Sequence, residues 1–140
     1  MTSLLNQFLA KTARYLYQRR QQKAWGDTPV ESLAVSNLCV DVGGAQIGLR
    51  MYHGNPDKPM VIYSHGGGFV VGNLDTHDRF CRALSTQSGC SLISIDYRLA
   101  PEYTFPTAHD DCLAATEWIL ANLENLAPNN GMFVLAGDSA

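Results

Sequence analysis

Apolar residues over 3–24 recur at the spacing of one helical face. Leu4, Leu5, Phe8, Leu9, Thr12, Tyr15 and Leu16 fall on it, with Arg and Lys between them. This predicts a helix, ended by the Gly and Pro of Trp25-Gly26-Asp27-Thr28-Pro29. The period then changes. Residues 38–42 and 46–52 read as two strands joined at Gly43-Gly44, a hairpin signal. In the second strand Ile47, Leu49 and Met51 alternate with Gln46, Gly48, Arg50 and Tyr52, so one face is expected to be wet. Asn55-Pro56-Asp57-Lys58-Pro59 is a turn cluster.

Three short apolar runs follow: Met60 to Tyr63, Leu92 to Ile95 and Met132 to Ala136. They lack alternation, which predicts parallel strands buried on both faces. Helix-like stretches at about 75–88 and 108–124 separate them. The first puts Phe80 and Leu84 one turn apart and stops at Gly89. The second has Thr107 and Asp110 spaced as a capping box, and Cys112, Thr116, Ile119, Leu120 and Leu123 on one stripe. Strand, helix, strand, helix, strand means βαβ units. The expected fold class is therefore α/β, with a doubly wound, mostly parallel sheet.

Composition narrows the function classes. The chain has 140 residues, enough for one domain with a real core. An apolar fraction of 46% with 16% charged residues excludes a disordered chain. A net charge of −3 is too mild to argue for nucleic acid. The charge is unevenly placed: Lys11, Arg14, Arg19, Arg20 and Lys23 precede Asp27 with no acid among them. A solvated face on a cap helix explains this, with a membrane surface or an anionic partner as the alternative.

Cys39, Cys81, Cys90 and Cys112 form no C-x-x-C pair, so neither a metal site nor a redox motif is expected. Cys39, Cys81 and Cys112 lie in strand-like or helix-like runs, where buried free thiols are common. No segment approaches the ~20 apolar residues of a membrane span. Residues 1–10 lack the charged start of a secretory signal. A cytoplasmic protein is the expectation.

Two motifs carry chemistry. Gly137-Asp138-Ser139-Ala140, directly after the run Phe133-Val134-Leu135-Ala136, matches the first four positions of a G-x-S-x-G nucleophile elbow. There a strand turns sharply and lifts a serine above the sheet edge; a side chain at Gly137 would crowd the turn. Ser139 is the candidate catalytic nucleophile. A serine hydroxyl needs a base to take its proton and a third group to orient that base. The second motif, His65-Gly66-Gly67-Gly68, follows the strand-like Val61-Ile62-Tyr63-Ser64. Its backbone can approach a substrate closely and turn N–H groups toward a developing oxyanion. The lysine and Ser/Thr of a Walker loop are missing and no G-x-G-x-x-G fits, which leaves a flexible loop as the bland reading.

With Phe69 and the run Asp96-Tyr97-Arg98-Leu99-Ala100-Pro101-Glu102, these motifs resemble the hormone-sensitive-lipase-like branch of the α/β-hydrolases. The segment from Gly66 to Arg79 most resembles bacterial acetyl esterase. The resemblance covers nearly the whole chain and is weakest over residues 1–35. It implies the α/β-hydrolase fold, with 1–35 as a cap segment and 36–140 as the N-terminal part of the hydrolase domain, ending at the elbow. It implies Ser139 as nucleophile and an oxyanion hole from His65, Gly66, Gly67, Gly68 and the N–H of Ala140. It implies short-chain, acetyl-type esters as substrates, an acyl-serine intermediate and no cofactor.

In that family the triad follows the order Ser, Asp, His, so the acid and the base are expected beyond Ala140. Local substitutes read poorly. His65 is expected to hold the glycine loop, and His77 and His109 to face solvent or cap helices. His53 reads as surface, Arg98 and Glu102 as a structural pair, and Asp138 as scaffold. Asp96, Asp110 and Asp111 are the nearby acids. The alternative to an esterase is a catalytically inactive fragment or a binding protein on the same fold. Its strand near 132–136 would then lack a neighbour, and self-association is expected. Peptidase chemistry is a third reading.

Overall fold

Gly43 and Gly44 both have positive φ, the geometry a two-residue hairpin turn demands, and the Gly44 N–H caps on Asp41 Oδ1 at 3.0 Å. They fold β1 (Val35–Asp41) back on β2 (Gln46–Tyr52) in antiparallel register. The computed structural model describes residues 3–26, 32–127 and 131–139. Its remaining elements are α1 (Leu4–Trp25), β3 (Met60–Ser64), α2 (Asp78–Ser88), β4 (Leu92–Asp96), α3 (Thr107–Ala121), α4 (Leu123–Leu126) and β5 (Phe133–Gly137). Asp27, Thr28 and Pro29 of the predicted helix stop lie outside the described residues.

The sheet runs β1-β2-β4-β3-β5. β2 pairs antiparallel with β4, while β4, β3 and β5 are parallel to one another. The crossovers through α2 and α3 put one helix on each face, which buries β3 and β4 on both sides. Met60, Ile62, Ile93 and Ile95 pack with Ala115 and Ile119 of α3. Val61, Tyr63 and Leu92 pack with Cys81 of α2. Within residues 1–140 β5 pairs with β3 alone, and Phe133, Val134 and Leu135 are exposed. Tyr52, expected on a wet face, is fully buried because its hydroxyl donates to Asp78 Oδ1 at 3.0 Å.

Helix boundaries were set by side chains that periodicity does not weigh. Asn73 and Thr76 bond each other reciprocally, Thr76 N–H to Asn73 Oδ1 at 2.8 Å and Asn73 N–H to Thr76 Oγ1 at 2.9 Å. That turn competes with helix, so α2 starts at Asp78 rather than 75. It ends as expected, at Gly89 in the left-handed conformation. The capping box at Thr107 does not form: the N-cap is Pro106, with no side-chain bond. Asn122 donates its side chain to the Trp118 carbonyl at 2.8 Å and divides α3 from α4.

The buried stripe of α3 is Ala108, Asp111, Ala115 and Ile119, one step from the predicted one. Asp111 can be buried because Arg98 meets it three times: N–H and Nε to Oδ2 at 3.0 and 2.9 Å, and Nη2 to Oδ1 at 2.6 Å. The expected Arg98–Glu102 pair is thereby replaced. Glu102 takes Arg14 of α1 instead, through two bonds of 3.0 and 2.7 Å. Arg14 also donates to the carbonyls of Val70 and Ala100. So α1 docks through a cation expected on a solvated face. Its apolar residues Leu4, Leu5, Phe8, Leu9 and Leu16 are exposed, and Ala10 is its buried one.

All four thiols are free, and Cys39 is exposed rather than buried. Burial pushes the Cys81 thiol up to about 12. Among the described residues, no helix is long and apolar enough to cross a membrane and no cluster of ligating side chains could hold a metal.

Candidate active site

The parallel register of β3 and β5 brings the two motifs together. Ser64 is level with Gly137, so the residues that leave the sheet next, His65-Gly66 and Asp138-Ser139, emerge side by side. A Cβ at Gly137 would lie 2.9 Å from the Ser64 carbonyl oxygen, so a bare glycine is required where the strand turns. A Cβ at Gly66 would lie 2.7 Å from the Ser139 Cβ and 3.0 Å from Asp138 Oδ2. The glycine loop therefore touches the nucleophile elbow directly. Ser139 itself is exposed.

Gly66 plays a different part from the one expected of it. Its N–H donates to Asp138 Oδ1 at 2.6 Å and so faces the elbow, not a substrate oxygen. The Gly67 carbonyl accepts the N–H groups of Val70 and Val71, which closes the loop into a tight turn. Gly67 has φ 137°, and a Cβ there would strike the Val71 carbonyl, so only glycine fits. Among the described residues, the N–H groups of Gly67 and Gly68 have no acceptor. Phe69 follows at φ 61°, a strained conformation for an aromatic residue, with its ring against Tyr97 and His109. Ala140 lies outside the described residues.

Beneath the loop the aromatic side chains form a stack. His65 lies between Tyr97 and His77, with ring centroids 4.3 and 5.1 Å away. Tyr97 donates its hydroxyl to the His65 carbonyl at 2.5 Å. His65 Nδ1 is 2.9 Å from the Gly66 carbonyl oxygen, an arrangement that assigns the ring proton to Nδ1. The ring is thereby turned onto the loop's own backbone.

Burial pushes His65 down to about 4, so the folded protein keeps the ring neutral. An unfolded chain protonates it near its ordinary value of 6.5. Between these values the unfolded state binds a proton that the folded state refuses, so stability falls as the pH drops from 6.5 to 4. The shift corresponds to about 3 kcal/mol. Urea unfolding of the whole protein at pH 7 and pH 4.5 checks this, and His65→Gln should flatten the difference. An equally steep pH dependence in the variant would refute it.

His77 corrects another expectation. It stands at the start of α2 but is buried, 5% exposed, with no capping bond. Its Nδ1 faces Thr76 Oγ1 at 3.0 Å, and its Nε2 lies 3.5 Å from both the Tyr17 hydroxyl and Asp138 Oδ2. Burial works against a charged Asp138, but the hydrogen bonds from Tyr63 and Gly66 outweigh it and hold the carboxyl below its ordinary range. His53 is exposed and bonded to Ser36, and His109 is exposed against Phe69 and Phe105. Among the described residues no hydrogen bond joins a histidine ring to Ser139; His77 Nε2 faces Asp138 beside it, and His65 Nε2 is buried without a partner. Asp111 is locked on Arg98, and Asp96 is raised by burial in strand β4.

This arrangement, a strand-borne serine elbow beside a glycine loop on a mixed α/β sheet, defines a class. The sequence model described as alpha/beta hydrolase fold matches residues 61–140, and the chain belongs to that family. It is 42% identical over 113 residues to "Esterase LipI" of Mycobacterium tuberculosis, which covers 77% of this chain and 35% of that protein. It is 45% identical over 84 residues to "Lipase 2" of a Moraxella species, 60% of this chain and 19% of that one. The fold is similar to that of a hyperthermophilic esterase from the archaeon Pyrobaculum calidifontis, with a TM-score of 0.80 at 36% identity over 92% of this chain and 42% of that one. The chain therefore spans less than half the length of these relatives.

Proposed function

We propose that the protein carrying this chain hydrolyses short-chain carboxylic esters through an acyl intermediate on Ser139. The contact between Gly66 and Ser139 carries the reading, because it sets free backbone donors beside the elbow serine. Ser139 Oγ attacks the ester carbonyl carbon while a base takes its proton. The N–H groups of Gly67 and Gly68, joined by that of Ala140, receive the oxyanion. Collapse of the tetrahedral species expels the alcohol, which takes the proton from the base. Water, activated by the same base, then releases the acid and restores Ser139.

The base and its orienting acid are proposed to lie outside residues 1–140. This agrees with the absence of a histidine hydrogen-bonded to Ser139 among the described residues and with the length of the relatives. No cofactor enters these steps. The acetyl-type preference rests on the likeness of the Gly66–Arg79 segment to acetyl esterase. Its test is a series of p-nitrophenyl esters given to the full-length protein. The expected order is acetate and butyrate above octanoate and decanoate, with anilides of the same acids at least 10²-fold slower. A preference for decanoate would refute the acyl-length reading, and equal turnover of anilides would favour a peptidase.

A further inference from the structure

We propose that Asp138 is a positioning residue of the oxyanion hole, its Oδ1 fixing the glycine loop against the elbow that carries Ser139. This rests on the esterase reading above. Oδ1 accepts two short hydrogen bonds, from the Tyr63 hydroxyl and from the Gly66 N–H, both 2.6 Å. Tyr63 belongs to β3 and Asp138 follows β5, so one oxygen atom ties together the two strands that deliver the motifs. Two donors on one carboxylate oxygen favour its charged form and give both bonds the strength of charge-assisted contacts.

The consequence for geometry is direct. Once the Gly66 N–H is held by Asp138, the orientation of the peptide before Gly66 is fixed. Among the described residues, the next two N–H groups, of Gly67 and Gly68, are then without an acceptor. The turn from Gly67 to Val71 limits how far the loop can swing about that anchor. Since Asp138 precedes Ser139 in the chain, nucleophile and donors share one reference point. A shift of about 1 Å between such groups can cost 10²-fold in rate. Oδ2 lies 3.5 Å from His77 Nε2, so the same carboxylate also meets the aromatic stack under the loop.

A carboxylate used this way differs from an acid–base group. It must accept, not titrate, so an amide oxygen in its place should serve. The test compares Asp138→Ala and Asp138→Asn in the full-length protein by two readouts. With p-nitrophenyl acetate, the alanine variant should lose 10- to 10²-fold in kcat with KM within about threefold. The asparagine variant should stay within about fivefold of the parent, with an unchanged pH profile.

Amide hydrogen exchange at Gly66, whose N–H is the one held by Asp138, reads the anchor without any turnover. Exchange should accelerate at least tenfold in Asp138→Ala and return toward the parent rate in Asp138→Asn. If the parent turns over no ester, the esterase reading fails, and the exchange data still decide whether Asp138 holds the loop. Unchanged exchange in the alanine variant overturns the inference. So does a new pH dependence or a full loss of kcat in Asp138→Asn, either of which would make Asp138 a proton-transfer group.

Discussion

Ser139→Ala should abolish ester turnover while leaving the fold intact. The side chain is exposed at the end of β5, and removing one hydroxyl there opens no cavity and strands no buried partner. Loss of a nucleophilic serine from such a triad costs roughly 10⁴–10⁶-fold in kcat/KM, because the remaining base and donors cannot act without it. The thermal midpoint should stay within a degree or two. The measurement is p-nitrophenyl acetate hydrolysis by the full-length variant, alongside its unfolding curve. Retained turnover would remove Ser139 from the mechanism.

Gly66→Ala should damage turnover strongly although it leaves Ser139 in place. Backbone freedom is not the issue, since Gly66 does not have positive φ. The added methyl would lie 2.7 Å from the Ser139 Cβ, 3.0 Å from Asp138 Oδ2 and 3.2 Å from the Ser139 N. The Ser139 Cβ and N belong to or adjoin the backbone, and the Asp138 carboxylate is held by Tyr63 and Gly66, so either the loop or the elbow must move. Overpacking of this kind costs about 1–3 kcal/mol of stability. The displacement matters more, since it separates the nucleophile from its donors, and kcat should fall by about 10²–10³-fold. Measured kcat, KM and midpoint for the variant check this. A rate within a few-fold of the parent would mean that the loop and the elbow do not work as one unit.

The sequence disclosed elements better than partners. Mostly apolar runs placed β3 and β4, because their burial on both faces shows directly as composition. β5 carries the same kind of run, and within residues 1–140 it pairs with β3 alone. The glycine loop and elbow were legible as motifs, since each needs residue types that few other structures require. What the motifs do to each other was not. That Gly66 gives its N–H to Asp138 follows from the parallel register of β3 and β5, a long-range fact.

Polar residues buried by pairing were the main omission. Asp111 entered only as a nearby acid, His77 as a solvent-facing or capping residue and Tyr63 as part of an apolar run; Arg98, Thr76 and Asp138 beside them were not legible. One signal was available: strand alternation puts Tyr63 and His65 on the same side of their strand. Arg14 is the converse case. Its charge suggested solvent, yet its fork fits Glu102 and two backbone carbonyls.

Trapping the acyl group tests the central claim most directly. The full-length protein would be mixed with excess p-nitrophenyl acetate, quenched in acid within its first turnover, digested and mapped by mass. The account predicts one acetyl group, carried by the peptide that contains Ser139 and absent from the Ser139→Ala variant. Hydrolysis that proceeds with no acetyl on that peptide, or with acetyl on another residue that chases into product, would contradict it.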